Sequence, residues 1–297
     1  MRILVMGGTG MLGHKVFQRL RERFADTRCT IRGSLLSSGP DSTGLFAPAA
    51  VVEHVDVLDW ARVVTVLSEV RPDVVVNCVG IVKQRPDAKD AIPSITINAL
   101  LPHRLAATLE GWGGRLIHIS TDCIFSGERG HYTEIDLPDA RDLYGRTKFL
   151  GEVSDGNTVT LRTSMIGREL SGHRSLLDWL LRQNGGAVRG YQRAFYSGLT
   201  TNELANVILG LIEEQPGLTG LYQVTGQTIT KYDLLRLIVD TFGLDIRVDP
   251  ETKFFCDRSL IGDKFRAATG YQSPAWPELI DALHADPTPY NDSARHV

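Results

Sequence analysis

Residues 3–13 read Ile3-Leu4-Val5-Met6-Gly7-Gly8-Thr9-Gly10-Met11-Leu12-Gly13, a short apolar run that leads into glycines spaced Gly-x-x-Gly-x-x-Gly. Helical periodicity follows over residues 11–24, where apolar side chains recur every three or four positions. A strand that turns through such glycines into a helix is typical of the first βα unit of a doubly wound sheet. Its turn is suited to a pyrophosphate, because backbone amides at a helix N-terminus attract anions.

Strands and helices alternate through the first half of the chain. Further strands are predicted near residues 29–31, 51–55, 73–78, 115–120 and 158–162, and helices over 60–70, 95–109 and 143–153. The strands at 73–78 and 115–120 are largely apolar, which is typical of a parallel sheet covered on both faces. We therefore predict an α/β protein with a Rossmann doubly wound parallel sheet and a smaller C-terminal substrate-binding lobe.

The alternation loosens after residue 165. Thr200 and Thr230 each precede an acidic residue by three positions and begin an apolar helical pattern, and residues 220–224 form one more strand pattern. We expect residues 1–164 and 197–225 to form the dinucleotide-binding domain. Residues 165–196 and 226–297 are expected to form the lobe, with the site in the cleft between them.

Composition excludes several classes of protein. The chain has 297 residues, of which 42% are hydrophobic and 23% charged, as in globular proteins. Its net charge of −3, without a lysine-rich block, argues against a nucleic-acid partner, and no segment resembles a membrane span. The four cysteines lie far apart, without zinc or disulfide spacing, and no export signal is evident. We expect a cytoplasmic protein with no metal site.

The end of the second strand indicates which nicotinamide cofactor is bound. An acidic residue there would bind the ribose hydroxyls of NAD, but the chain has Arg32, followed by Ser34. A guanidinium and a hydroxyl suit a 2′-phosphate, so we predict NADPH as the cofactor, with NADH as the alternative. The other cofactor contacts are expected from turns after the first, third and fourth strands: Gly7, Gly10, Met11, Leu12, Gly13, Asp56, Val57, Cys78, Val79 and Gly80.

A second group of residues predicts proton transfer. Tyr144 and Lys148 lie four positions apart, on one face of a predicted helix. A nearby ammonium is expected to lower the pKa of the phenol towards the neutral range, and Lys148 can also bind the nicotinamide ribose. Thr121 ends the fifth predicted strand and can polarise a substrate carbonyl. His14, on the first helix, is interpreted as a structural histidine.

The sequences GGTGMLG at 7–13, STDCIFSG at 120–127 and YGRTK at 144–148 resemble those of extended short-chain dehydrogenase/reductases, in particular dTDP-4-dehydrorhamnose reductases. The resemblance covers nearly the whole chain. It implies hydride transfer from NAD(P)H to the C4 ketone of a nucleotide-linked 4-keto-6-deoxyhexose, in the synthesis of deoxysugar precursors of polysaccharides. It also implies that Thr121 supplies the hydroxyl, Tyr144 the proton and Lys148 its support, while Asn98 contributes to a proton relay beside the cofactor.

The substrate is expected to contact residues from several loops: Lys83, Asp122, Cys123, Thr163, Ser164 and Arg193. Among these, Lys83 and Arg193 are candidates for the diphosphate of the nucleotide sugar. Other members of the resembled family form homodimers, so a homodimer is one expected oligomeric state.

Several departures from the rhamnose-enzyme pattern leave the sugar and its nucleotide open. Residues 83–85 and 197–201 are closer to reductases of UDP-2-acetamido-4-keto-2,6-dideoxy-L-hexoses. Cys123 keeps open an epimerase-reductase of the GDP-fucose type. A further alternative is a non-catalytic NADP-binding subunit, because the regulatory subunit of methionine adenosyltransferase resembles the same family.

Overall fold

A parallel seven-stranded sheet forms the centre of the computed structural model, which describes residues 1–35, 44–83 and 89–290. Its strands are β1 (Ile3–Met6), β2 (Thr27–Thr30), β3 (Val51–Val52), β4 (Val74–Asn77), β5 (Arg115–Thr121), β6 (Thr158–Thr163) and β10 (Gly220–Gln223). They lie in the order β10-β6-β5-β4-β1-β2-β3. The order reverses between β1 and β4, where doubly wound sheets bind their ligands.

Helices cover both faces of this sheet. They are α1 (Gly13–Arg23), α2 (Trp60–Val70), α3 (Ala91–Ser94), α4 (Leu101–Glu110), α5 (Leu143–Leu150) and α7 (Thr201–Glu213). In β1, Ile3 and Val5 enter the core cluster under α1 and α7, whereas Leu4 and Met6 enter the cluster under α2 and α4. The predicted doubly wound α/β fold is therefore confirmed.

The helix predicted over residues 95–109 is longer and less regular than its sequence pattern indicates. The structure begins it at α3 and continues through a π-helical segment, Ile95–Leu100, into α4. Such π segments are rare and often lie at functional sites. Gly151, which ends α5, packs here so closely that a Cβ on it would lie 1.9 Å from the backbone oxygen of Asn98.

The part of the chain after residue 164 contains two small sheets that sequence periodicity did not indicate. One pairs β7 (Met165–Ile166) with β9 (Leu199–Thr200), and the other has the order β11-β8-β12, from β8 (Ala187–Tyr196), β11 (Ile229–Thr230) and β12 (Arg247–Asp257). The remaining helices are α6 (Leu176–Leu181), α8 (Lys231–Phe242), α9 (Asp263–Thr269) and α10 (Trp276–His284). One apolar cluster joins the main sheet to α8 and α10, so the boundaries of the two domains stay a prediction.

Both helix starts predicted after residue 165 are confirmed. The Thr200 hydroxyl accepts a hydrogen bond from the Glu203 amide at 3.3 Å, and the Thr230 hydroxyl accepts one from the Asp233 amide at 3.0 Å. These caps satisfy amides that the helix itself leaves without partners. Over the ranges described, none of the helices is both long and apolar enough to pass through a membrane.

Candidate active site

The glycine turn between β1 and α1 has the geometry of an anion cradle. Gly7 has φ +83°, a conformation that favours glycine, and a Cβ on Gly13 would lie 2.0 Å from the Gly7 carbonyl oxygen. The Gly7 amide donates to the Thr30 hydroxyl at 3.2 Å, which ties the turn to β2. The first turn of α1 contains no acidic residue. Its positive end is thus suited to a diphosphate, and the binding of one by residues 7–13 stays a prediction.

Thr121 and Tyr144 meet at the carboxyl edge of β5. The Thr121 hydroxyl accepts from the Cys123 amide at 3.1 Å and lies 3.2 Å from Asp122 Oδ1, to which it can donate. It is also within hydrogen-bonding reach of the Tyr144 phenol. Asp142 caps α5 by accepting from the Gly145 amide at 2.9 Å, which fixes the first turn of the helix that carries Tyr144.

Lys148 lies one turn further along α5 and is only 5% exposed. Its Nζ donates to the backbone oxygen of Ile119 at 2.7 Å, two residues before Thr121. The structure therefore brings together the three predicted catalytic residues, at the edge of the sheet that also carries the glycine turn. Burial lowers the pKa of Lys148 to about 8, although Glu152 and Cys78 act in the opposite direction.

The prediction that Lys148 lowers the pKa of Tyr144 is wrong: the surrounding protein groups raise this pKa. Burial raises the pKa of the Tyr144 phenol well above that of free tyrosine, and the neighbouring Cys123 and Asp122 raise it further. The hydrogen bond with Thr121 opposes this shift without reversing it. Tyr144 consequently keeps its proton at neutral pH, which is the form that a proton donor needs.

Asn98 connects the loop after β4 to α5. Its side-chain oxygen accepts from the Ile81 amide at 2.9 Å, and its side-chain nitrogen donates to the Ile81 carbonyl at 3.0 Å and to the Thr147 hydroxyl at 3.3 Å. These bonds use the whole amide, so the side chain holds the loop that contains Cys78, Val79 and Gly80. Its expected part in a proton relay stays a prediction.

The residues predicted to select the cofactor lie together beyond β2 and β3. Arg32 is 72% exposed at its side chain, and its Nε pairs with Asp56 Oδ2 at 3.0 Å. Ser34 is half-buried, and Val57 belongs to the core cluster under α2 and α4, so the expected contact of Val57 with the cofactor stays a prediction. The Arg32 side chain is accessible to a ligand, and its contact with a 2′-phosphate stays a prediction.

Most of the predicted substrate residues surround Tyr144 and Thr121. Lys83 Nζ pairs with Asp142 Oδ2 at 2.8 Å and lies 5.7 Å from the centroid of the Tyr144 ring. Thr163 pairs with Thr121 in the register of β5 and β6. Asp122, Cys123 and Ser164 follow these strand ends directly. Gln84 and Arg85, the rest of the predicted insert, lie outside the described residues.

Arg193 lies on β8, not at the strand ends of the main sheet. It is exposed on β8, where its guanidinium stacks 5.2 Å from the centroid of the Phe255 ring. Its expected contact with the substrate diphosphate stays a prediction.

Sequence analysis missed a second lysine in the site, which is half-buried. Lys231 begins α8, and its Nζ lies 4.0 Å from the centroid of the Tyr196 ring. Burial lowers the pKa of Lys231 to about 8, while the nearby Asp122 raises it. A cation at the positive end of a helix is electrostatically unfavourable, and this position was the signal that could have identified it.

The two cysteines beside the site, Cys78 and Cys123, are not reactive thiols. Burial raises the pKa of both the Cys78 and the Cys123 thiols to about 12, so both are neutral at physiological pH. Within residues 1–35, 44–83 and 89–290, no three His, Cys, Asp or Glu side chains are grouped so that they could hold a metal ion.

Comparison with known proteins gives consistent matches along the chain. A family model described as the RmlD substrate binding domain matches residues 1–258. A probable dTDP-4,6-dihydroxy-2-methyloxan-3-one 4-ketoreductase of Streptomyces antibioticus is 30% identical over 261 residues, which cover 85% of this chain and 81% of the relative. Methionine adenosyltransferase 2 subunit beta of Xenopus tropicalis is 26% identical over 313 residues, covering 94% and 89%.

A solved structure supports the same fold. The dTDP-4-dehydrorhamnose reductase of Bacillus anthracis, in complex with NADP, has a TM-score of 0.74 at 20% identity, and the match covers 95% of this chain and 98% of that one. The family match spans most of the chain and confirms the resemblance carried by residues 7–13, 120–127 and 144–148. The chain therefore belongs to the RmlD substrate-binding domain family.

Proposed function

We propose that the protein reduces the C4 ketone of a nucleotide-linked 4-keto-6-deoxyhexose with NADPH, in the synthesis of deoxysugar precursors. The observation that carries this proposal is the cluster of Thr121, Tyr144 and Lys148 at the sheet edge that also holds the glycine turn. The similarity to a Streptomyces 4-ketoreductase and to a reductase that binds NADP supports it.

Each residue of the cluster has a distinct part in this reaction. When bound, the nicotinamide supplies the hydride that reaches the sugar carbon. Thr121 donates a hydrogen bond to the carbonyl oxygen, and Tyr144 transfers its proton to that oxygen as negative charge develops there. Lys148, fixed on the Ile119 carbonyl one helical turn from Tyr144, supplies a positive charge on the same helix, and in this proposal that charge stabilises the phenolate that remains once cofactor and sugar are bound.

Deuterium labelling of the cofactor tests the proposed reaction directly. With NADPH deuterated at the transferred position, the product sugar should carry deuterium at C4, and the nucleotide should remain attached. Deuterium at any other sugar carbon, or none at all, would contradict reduction of the C4 ketone.

Arg32 provides a prediction about the choice of cofactor. The change Arg32→Asp should weaken NADPH binding at least tenfold, because it replaces a charge-assisted contact to the 2′-phosphate by repulsion of like charges. The Kd for NADH should change by less than about threefold, since NADH lacks that phosphate. Fluorescence titration measures both constants, and Arg28→Asp, on an exposed position of β2, is the matched control. An unchanged preference for NADPH would contradict this role.

The pKa of Lys148 predicts how kcat changes with pH. Because its pKa is about 8, the side chain is an ammonium at neutral pH and an amine above that value. We therefore expect kcat to be level below about pH 7 and to fall, up to about tenfold per pH unit, as the pH rises through the pKa. Steady-state rates at saturating substrate measure this profile.

Two variants distinguish the titration of Lys148 from that of Lys231. Lys148→Arg stays charged and should lose the alkaline fall, although its rate is lower. Lys231→Met should retain the fall, even though the pKa of Lys231 is also about 8. An alkaline fall that persists in Lys148→Arg would assign the titration to another group.

Three alternatives stand beside this proposal. Reduction of a UDP-2-acetamido-4-keto-2,6-dideoxy-L-hexose would use the same three catalytic residues. It differs only in the sugar and the nucleotide that the C-terminal lobe must bind. An epimerase-reductase is disfavoured, because the raised pKa of Cys123 keeps this thiol protonated at neutral pH, so that it cannot accept a proton from the sugar. A non-catalytic subunit is supported by the similarity to methionine adenosyltransferase 2 subunit beta, and would bind NADPH saturably without turnover of any ketosugar. The intact catalytic cluster favours the enzyme.

A homodimer also stays a proposal. Apolar side chains are exposed along α3, the π-helical segment and α5, where Ile92, Ile95 and Leu150 face solvent. Sedimentation velocity would measure the oligomeric state.

A further inference from the structure

The C-terminal segment, residues 286–290, returns across the chain to helix α1. Asp286 and Lys15 form an ion pair with a distance of 2.7 Å between Lys15 Nζ and Asp286 Oδ2, and both side chains are almost fully buried. The same ammonium donates to the Thr288 hydroxyl at 3.0 Å, and Asn202 donates to Asp286 at 3.1 Å. The segment is thus fixed on the helix whose first turn forms the glycine cradle.

Tyr290 connects the C-terminal segment to the glycine turn through His14. The Nδ1 atom of His14 lies 2.9 Å from the Gly10 carbonyl oxygen, and its Nε2 atom lies 3.0 Å from the Tyr290 hydroxyl. A carbonyl only accepts hydrogen bonds, so Nδ1 carries the proton. Burial lowers the pKa of His14 to about 4, so the ring is neutral and Nε2 is an acceptor for the Tyr290 hydroxyl. The same hydroxyl also lies 3.4 Å from Asp286 Oδ2, and the shorter contact is the one to His14 Nε2 at 3.0 Å. Arg168 stacks 4.5 Å from the centroid of the Tyr290 ring.

These bonds determine the orientation of one peptide group in the cradle. The Gly10 carbonyl accepts from the His14 backbone amide at 3.1 Å as well as from the His14 ring. In a planar trans peptide the C=O and N–H groups point in opposite directions. Fixing the Gly10 carbonyl towards His14 therefore turns the Met11 N–H away from the helix. Among the described residues no backbone carbonyl accepts from this N–H, which leaves it available to a phosphate oxygen.

We propose that Tyr290 and His14 are positioning residues for the cofactor diphosphate, because they orient the Gly10–Met11 peptide through a hydrogen-bonded chain that begins in the C-terminal segment. This inference rests on the proposed binding of NADPH at the glycine turn. It extends that proposal to a segment some 280 residues away in sequence, which contacts neither the sugar nor the nicotinamide in the proposed mechanism.

The test is the affinity of Tyr290→Phe for NADPH, measured by fluorescence titration of the full chain. Loss of one hydroxyl leaves His14 Nε2 without its donor, and we expect the Kd to rise about fivefold, as for the loss of a neutral hydrogen bond. The affinity for adenosine 2′-monophosphate, which lacks the diphosphate, should stay unchanged. At saturating NADPH, kcat should also stay unchanged.

Two further variants separate positioning from general loss of stability. Tyr271→Phe removes a comparable hydroxyl, which donates a hydrogen bond of 2.9 Å to Glu203 and has no part in the chain from Tyr290 to Gly10. This variant should leave the Kd for NADPH unaltered. His14→Ala should weaken NADPH binding, and Tyr290→Phe should then add nothing in the His14→Ala background, because it acts through the missing ring. If His14→Ala does not fold, the comparison of the NADPH Kd values of Tyr290→Phe and Tyr271→Phe tests the inference.

The outcomes are distinct. A Tyr290→Phe protein with wild-type affinity, an equal loss in Tyr271→Phe, an equal loss for adenosine 2′-monophosphate, or a further loss in the His14→Ala background would overturn the inference. A wild-type protein that binds neither NADPH nor NADH would overturn the proposed function itself, and the inference with it.

Discussion

Tyr144→Phe is expected to lower kcat by about three orders of magnitude, the range found when a general acid is removed. The change deletes the phenol hydroxyl within hydrogen-bonding reach of Thr121 and leaves the ring, which packs near Lys83, in place. The Kd for NADPH should change by less than about twofold, because the hydroxyl acts on the transition state rather than on cofactor binding. Steady-state kinetics and fluorescence titration measure the two effects separately.

Tyr222→Phe is the matched control for this change. Tyr222 is buried on β10, and the site cluster does not use its hydroxyl. Its kcat should stay within about twofold of the wild-type value. Wild-type turnover in Tyr144→Phe would remove Tyr144 from the mechanism.

Glu152→Ala is expected to lower the free energy of unfolding by about 3–5 kcal/mol, because it leaves a buried guanidinium without its counter-charge. Both Glu152 oxygens are engaged by Arg162, at 2.9 and 2.8 Å, and one also accepts from the Ser120 hydroxyl at 2.7 Å. The side chains of Arg162 and Glu152 are only 3% and 6% exposed. Urea denaturation followed by circular dichroism measures the loss.

The exposed ion pair between Arg23 and Glu213 provides the comparison. Its arginine side chain is 69% exposed, so Glu213→Ala should cost no more than about 1 kcal/mol. Glu152 also raises the pKa of Lys148. Glu152→Gln should therefore move the alkaline fall in kcat to lower pH. Equal stability losses in the two alanine variants, or an unmoved pH profile in Glu152→Gln, would contradict the electrostatic part assigned to Glu152.

The sequence was sufficient for features that depend on local spacing. Glycines at 7, 10 and 13 predict the turn, because a strand cannot pass into a helix beneath a phosphate without them. The spacing of Tyr144 and Lys148 predicts a shared helix face, and Thr121 is placed beside them because parallel strands end at one edge of the sheet. These are the parts of the site that the fold brings together directly.

Features that depend on contacts distant in sequence could not be predicted. Lys231 reaches the site only because β11 pairs with β8 and places it over Tyr196. The contact between Tyr290 and His14 joins residues 276 positions apart. The direction of the Tyr144 pKa shift was also mispredicted, because it depends on burial by the surrounding chain more than on the neighbouring lysine.

The central claim is that this chain is a ketosugar reductase that uses Tyr144 as its proton donor. The most direct measurement is NADPH oxidation by the wild-type protein and Tyr144→Phe, with dTDP-4-keto-6-deoxy-L-mannose and UDP-2-acetamido-4-keto-2,6-dideoxy-L-hexose supplied side by side. We predict turnover of at least one of these sugars by the wild type, and its loss in Tyr144→Phe with NADPH still bound. Saturable NADPH binding with no turnover of either sugar would contradict the claim and favour the non-catalytic subunit.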